Sequence, residues 1–210
     1  ATALSTPPDR PQITFPPPTC CRMSAIFASL KLAIVQSPAQ PQTCRTKFEI
    51  SRAPSGAVWA DMARSIVDMG YTTLLMPDHF SAQLAPFVAL TAAALAAPTL
   101  RIGTLVFDND FRHPVELAKE AATLDMISEG RLELGIGAGW ARTDYQRSGI
   151  PFDPPAQRVE RFAEALMIIK GLFAGGAFSY SGKYYHIYEL DGMPKPVQKP
   201  HPPEGGLGCG

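Results

Sequence analysis

Cysteine is absent from the whole stretch between residues 45 and 208; the four present are Cys20, Cys21, Cys44 and Cys209. The patterned part of the chain therefore uses neither a disulfide nor a thiolate-held metal, which suits a reducing cytoplasm. Any excess of charge is also missing. Nineteen basic residues meet 19 acidic ones, so nothing in the balance calls for a nucleic acid or an anionic membrane as partner. No apolar run approaches the roughly 18 residues that a membrane helix needs. Met23–Val35 has the length of a signal-peptide core, but only Arg22 closely precedes it and no small-residue cleavage site follows, so export is not expected. There is no Gly-Lys-Ser/Thr phosphate loop and no G-x-S-x-G nucleophile elbow. His186 and His201 lack partners at metal-ligand spacing, and no metal is expected.

What the chain does have falls into three parts. In residues 1–45, Pro7, Pro8, Pro11, Pro16, Pro17, Pro18, Pro38 and Pro41 break every periodic pattern. This segment reads as a disordered leader or as a misassigned start or wrong-frame translation, with Met23 an alternative start. Order is expected over 46–203, and the tail 204–210 (EGGLGCG) is expected to form no element. At 210 residues the whole is one or at most two domains.

The ordered part alternates between two periods. Lys47–Ser51 suits a short strand. Ser55 then caps a helix whose stripe is Trp59, Met62, Ala63, Ile66 and Val67, closed by Gly70. Tyr71–Met76 is a strand by residue type, stopped by Pro77. Pro86–Ala97 is a helix so rich in alanine that it must lie close against a sheet. The centre of the pattern is Leu100–Trp140. Leu100–Phe107 reads as a buried strand, Pro114 opens a helix striped by Leu117, Ala118, Ala121 and Leu124, and Gly130 closes it. Arg131–Ile136 is the next strand, so the unit is βαβ. After a loop, Asp153 is placed as N-cap of a helix striped by Val159, Phe162, Leu166, Ile169 and Phe173 and ended by Gly175 and Gly176. Phe178–Tyr188 reads as a hairpin turned at Ser181-Gly182, with Tyr184, His186 and Tyr188 on one face.

Four βα units in sequence make an α/β parallel sheet, either an open doubly wound sheet or a barrel. In both, chemistry gathers at the C-terminal ends of the strands. Those ends carry Asp78, His79 and Phe80; Asp108, Asn109 and Asp110; and Ala138, Gly139 and Trp140. His79 beside Asp78 can donate a hydrogen bond or a proton, or can be a structural histidine with Asp78 capping the next turn. His113 reads as a plain residue of a helix start. Along the fourth strand Glu133, Gly135 and Gly137 share one face. These glycines leave room for a ligand or for the close approach of another backbone. Gly135-Ile-Gly137-Ala-Gly139 fails the dinucleotide fingerprint because Trp140 stands at the third glycine. Glu133, Gly135, Gly137 and Gly139 do satisfy the E-x-G-x-G-x-G pattern of S-adenosylmethionine-dependent methyltransferases, although three strands precede it here where that motif occupies the first.

YTTLLMPDHF, LRIGTLVFDNDFRHPVELAKEAATLDMISEGRLELGIGAGW, GIPFDPPAQRVERFAEALMIIKGLF and KPVQKPHPP, in that order, resemble the luciferase-like monooxygenases, and among them the actinobacterial F420-dependent oxidoreductases. The resemblance implies a partial TIM (β/α)8 barrel, about the first four βα units plus a hairpin insertion, with FMN or F420 across the C-terminal mouth. It implies a backbone bulge, often a non-prolyl cis peptide, near Leu105-Val106 that props the cofactor ring. It also gives a cofactor contact at Gly137, Ala138 and Gly139, and an Asp78–His79 pair whose histidine faces the reacting centre. Phe80, Asp108, Asn109 and Trp140 would then border the pocket of a small organic substrate, and the intact protein would be a homodimer. Some F420 enzymes of the family carry a proton-donating carboxylate where this chain has Trp140, so another proton source, or none, is implied. The family continues beyond HPP with an apolar strand, glycines and further βα units that supply most of the phosphate grip. A closed barrel needs eight strands and about 250 residues. With four strands counted and the tail read as truncated or frame-shifted, these residues alone are expected to be poorly soluble and inactive.

Overall fold

The computed structural model describes residues 47–207; the leader 1–45 lies outside the described residues. The elements run β1 (Lys47–Glu49), α1 (Gly56–Asp68), β2 (Thr73–Met76), α2 (Pro86–Ala96), β3 (Arg101–Thr104), β4 (Phe107–Asp108), α3 (Pro114–Ile127), β5 (Leu132–Gly137), α4 (Arg142–Ser148), α5 (Pro155–Phe173), β6 (Ala177–Ser181), β7 (His186–Asp191) and β8 (Glu204–Leu207). All pairs in the main sheet are parallel. β1 pairs β2, β2 pairs β3, and β5 lies between β3 with β4 on one edge and β8 on the other. Because β3 and β4 are two halves of one strand position, the sheet has five positions in chain order, with helical crossovers between them. This is a partial TIM (β/α)8 barrel, and the antiparallel pair β6–β7 is a hairpin inserted between α5 and β8.

The register sorts the side chains into two faces. Leu74, Met76, Ile102, Phe107, Leu132, Leu134 and Ile136 are at most 1% exposed and join one core with α1, α2, α3 and α5. Burial of each such aliphatic residue contributes about 1.5–3 kcal/mol. The predicted alanine helix packs closely, with Ala89, Ala93 and Ala94 buried and the Trp59 indole N–H donating to Ala89 O at 2.7 Å. Arg131 draws the helix ends together, its guanidinium donating to Ala94 O, Leu100 O and Ser128 O. Ser55 caps α1 as expected, its hydroxyl accepting from Val58 N–H.

The opposite, concave face carries Thr73, Leu75, Arg101, Gly103 and Glu133. A Cβ on Gly135 would stand 2.2 Å from Thr104 O, and that close approach is the reason for glycine there rather than room for a ligand. The Thr104 hydroxyl completes the junction, donating to Gly135 O and accepting from Gly135 N–H.

Five further expectations are corrected. Leu100–Phe107 is interrupted strand, with a cis Leu105-Val106 peptide between β3 and β4, at the place the resemblance implied. The segment after Trp140 contains α4, which is too polar for any apolar period to announce it. Asp153 is not a helix cap, because its carboxylate is taken by Arg161 at 2.7 Å and the helix starts at Pro155. The tail is not without structure, since Glu204–Leu207 pair with Leu134–Gly137 along the open edge of β5. In the hairpin, Tyr184 lies in the turn and not on the strand face with His186 and Tyr188. Three N–H groups of that turn, from Lys183, Tyr184 and Tyr185, donate to the Glu164 carboxylate of α5.

Candidate functional site at the mouth of the sheet

The C-terminal ends of β2, β4 and β5 converge, as parallel strands require, and bring His79, Asp108 and the Gly137–Trp140 loop together. Asp78 ends β2 with its carboxylate buried. The Arg112 guanidinium donates to its two oxygens at 2.6 and 3.2 Å, and Asp108 N–H donates at 3.1 Å. Arg112 in turn lies 4.6 Å over the Phe107 ring, which stacks on Phe87. Asp78 is thus committed to Arg112 and does not orient His79. The group that meets His79 is Asp144 of α4, whose Oδ2 stands 2.7 Å from His79 Nδ1.

Asp108 lies behind the mouth rather than on it, at 7% exposure. Its carboxylate accepts from Asp110 N–H at 2.9 Å and faces the Tyr145 hydroxyl at 2.8 and 2.9 Å. The same hydroxyl is 3.0 Å from Asp110 Oδ2, so three carboxylate oxygens compete for one hydrogen. Asp110 is served by two N–H groups of Arg161, both at 2.8 Å. Among the described residues no cation pairs with Asp108. Burial pushes its carboxyl up to about 6, further raised by the charges of Asp110 and Asp78. Burial and the Asp108 charge push the Tyr145 phenol well above its ordinary value. Gly139 closes the network from above. It has φ +80, and a Cβ there would stand 1.8 Å from Tyr145 Oη and 2.7 Å from Asp108 Oδ2. Asn109 is buried too, at 2% exposure, but it lines a cleft, whereas Asp108 does not.

The remaining predicted residues do reach the mouth. His79 is half-buried, and Trp140, 72% exposed, meets its ring edge-to-face at 5.9 Å. Phe80, 53% exposed, lies against Phe111 at 4.4 Å. Leu105 and Val106 are half-buried where the strand breaks, and Val106 Cγ1 lies over Gly135 on the concave side. They form an apolar ledge beside Gly135, on the strand that leads into Gly137, Ala138 and Gly139. A planar ring with an apolar face and a polar rim fits that combination of aliphatic support, backbone N–H groups and one imidazole. The cleft, of about 360 Å³, is lined among others by Asn109, Asp110, His113, Pro151, Arg161 and Tyr185, and its lining includes none of His79, Leu105, Val106 or the Gly137–Trp140 loop. His113 is the N-cap of α3, its Nδ1 accepting from Val115 N–H. Among the described residues no cluster of His, Cys, Asp and Glu could hold a metal, and no helix is long and apolar enough to cross a membrane.

Sequence reasoning missed Asp144, Tyr145, Arg112 and Arg161. All four belong to polar stretches where spacing carries no sign of a partner 34 to 65 residues away. The methyltransferase pattern is accounted for otherwise. Glu133 is held by Arg101 at 2.8 Å and Lys47 at 3.1 Å, Gly135 seats Thr104 O, and Gly139 seats Tyr145.

Known proteins share this fold. The F420-dependent tetrahydromethanopterin reductase of Methanopyrus kandleri superposes with a TM-score of 0.68 at 24% identity, covering 76% of this chain and 49% of that one. The oxygenase component of the flavin-dependent trigonelline monooxygenase of Acinetobacter baylyi is 33% identical over 118 residues, 56% of this chain and 32% of the relative. The F420-dependent glucose-6-phosphate dehydrogenase of Microbacterium testaceum is 34% identical over 140 residues, 63% of this chain and 41% of the relative. The chain thus spans about half, or less, of the length of the proteins it matches. The model of the luciferase-like monooxygenases matches residues 42–204, which include every strand and helix of the mouth, and the chain belongs to that family.

Proposed function

We propose that this chain forms the mouth of a cytoplasmic flavin- or deazaflavin-dependent oxidoreductase that moves a hydride between FMN or F420 and a small organic substrate, with or without oxygen. The observation that carries the reading is the meeting, at one end of one sheet, of the Leu105–Val106 ledge, the Gly137–Gly139 backbone and a half-buried imidazole. The cofactors named for the relatives, flavin in one and F420 in another, support the same class. Such a group supplies the redox chemistry itself, and the protein supplies binding, orientation and electrostatics. When such a group is bound, Leu105 and Val106 would support its ring, and the Gly137–Gly139 backbone would supply N–H donors to its polar rim. His79 gives or takes a proton at the reacting centre. Trp140 and Phe80 exclude water from one side of the substrate. Asp78 has a supporting part, fixing Arg112 and the Asp108 backbone so that the β4 end keeps its course.

The test is titration of the purified chain with FMN and with F420 while the fluorescence of each is followed. Saturable quenching by one of them is expected, weakened at least tenfold by Val106→Asp. No quenching by either would sink the reading for this chain.

A further inference from the structure

We infer that Asp144 is the positioning residue for His79: it keeps the ring hydrogen on Nδ1 and leaves Nε2 as the atom that exchanges protons with whatever binds at the mouth. The inference rests on the functional reading above for its purpose, and on geometry for its substance.

An aspartate carboxylate accepts and an imidazole nitrogen must then donate, so the 2.7 Å contact places the hydrogen on Nδ1. The two side chains are only 29% and 12% exposed, which shields the contact from the water that makes surface pairs weak. Asp78, the sequence neighbour of His79, is occupied by Arg112 and cannot compete. Trp140 lies edge-on to the imidazole and limits its swing.

Asp144 also has a rigid mount. It lies on a helix of only seven residues with no side-chain cap, which has no stability of its own. The next residue, Tyr145, supplies the anchor. Its side chain is fully buried, its hydroxyl is fixed on Asp108 and Asp110, and its ring packs against Phe111 and Phe152. Gly139 has no side chain to obstruct that contact. The buried acid network therefore acts at one remove, seating the short helix so that its carboxylate reaches the imidazole. The Asp144 carboxylate thereby reaches the mouth through His79.

The experiment is long-range 1H–15N NMR of the full chain with 15N-labelled histidine, which distinguishes the two neutral tautomers without any cofactor. In the wild type, His79 is expected almost wholly as the Nδ1–H tautomer. In Asp144→Ala it is expected to revert to mostly Nε2–H, with His113, His186 and His201 unchanged, and Asp144→Glu should restore at least half of the Nδ1–H population. A wild-type His79 in the Nε2–H form overturns the inference by itself, even if a variant fails to fold. So does an unchanged tautomer in Asp144→Ala. Loss of cofactor quenching with the tautomer pattern intact would instead remove the functional reading and leave the positioning role standing.

Discussion

At the N-terminal ends of the strands, Glu133 is half-buried with two cations, Arg101 and Lys47. Burial pushes its carboxyl up, but the two cations outweigh burial and hold it below the usual range. At the C-terminal ends, Asp78 and Asp110 take Arg112 and Arg161, while Asp108 is left with a tyrosine hydroxyl and a backbone N–H. Its carboxyl rises to about 6. One end of the sheet neutralises its charge locally and serves stability. The other keeps one carboxylate, Asp108, with no counter-ion among the described residues, behind the candidate site. In barrels of this kind chemistry occupies the C-terminal face, and the unequal supply of cations at the two ends is its electrostatic form.

The contrast can be broken most severely at Arg112. Arg112→Ala leaves the Asp78 carboxylate buried without its cation, and a loss of about 3–5 kcal/mol is expected in urea denaturation. Gly139→Ala is expected to cost about 3 kcal/mol. Its φ of +80 disfavours a side chain, and the new methyl group runs into Tyr145 and Asp108. The same variant should loosen α4 and lower the Nδ1–H population of His79. Asp108→Asn sharpens the comparison by pH. With a folded value near 6 against 3.8 for the free side chain, the contribution of Asp108 to stability is complete below about pH 4 and is lost as the pH rises through 6. A fall of about 2–3 kcal/mol between pH 4 and 7 follows from the linkage of roughly 1.4 kcal/mol per unit. In Asp108→Asn this part of the pH profile should be flat, whereas Glu133→Gln should leave it in place. Least of all, Trp140→Ala should change stability by under about 0.5 kcal/mol, because the side chain is largely exposed, while weakening cofactor quenching.

The sequence made the helices and the order of strands legible because each buries one face against the sheet and shows it as a period. Trp59, Ala63 and Ile66 on α1 and Leu117, Ala121 and Leu124 on α3 are buried as their spacing predicts. α4 was not legible: Tyr145 is its one buried apolar side chain, and what holds it is a hydroxyl on a distant carboxylate. β8 was hidden for another reason. Its glycines have no strand preference, and pairing with the free edge of β5 overrides that. At the mouth, residue type located His79, Trp140 and the glycine loop. The pairing of carboxylates with cations could not be read, because Asp78 and Asp144 offer the same group to His79 and only the turn of the chain decides between them.

The hairpin is joined to the barrel in a way that bears on how such proteins diversify. Its base is fixed on α5, with Gly192 packed against the Leu172 backbone and Lys195 Nζ donating to Leu172 O. The strap beyond it is fixed again where Gln198 bonds Asp125 and Leu132 O, just before β8 takes its place beside β5. The register of β8 is therefore set after the hairpin ends. Changes of length within the hairpin strands need not displace the next strand, so long as the turn keeps its three N–H bonds to Glu164, and the module can vary while the sheet stays unchanged.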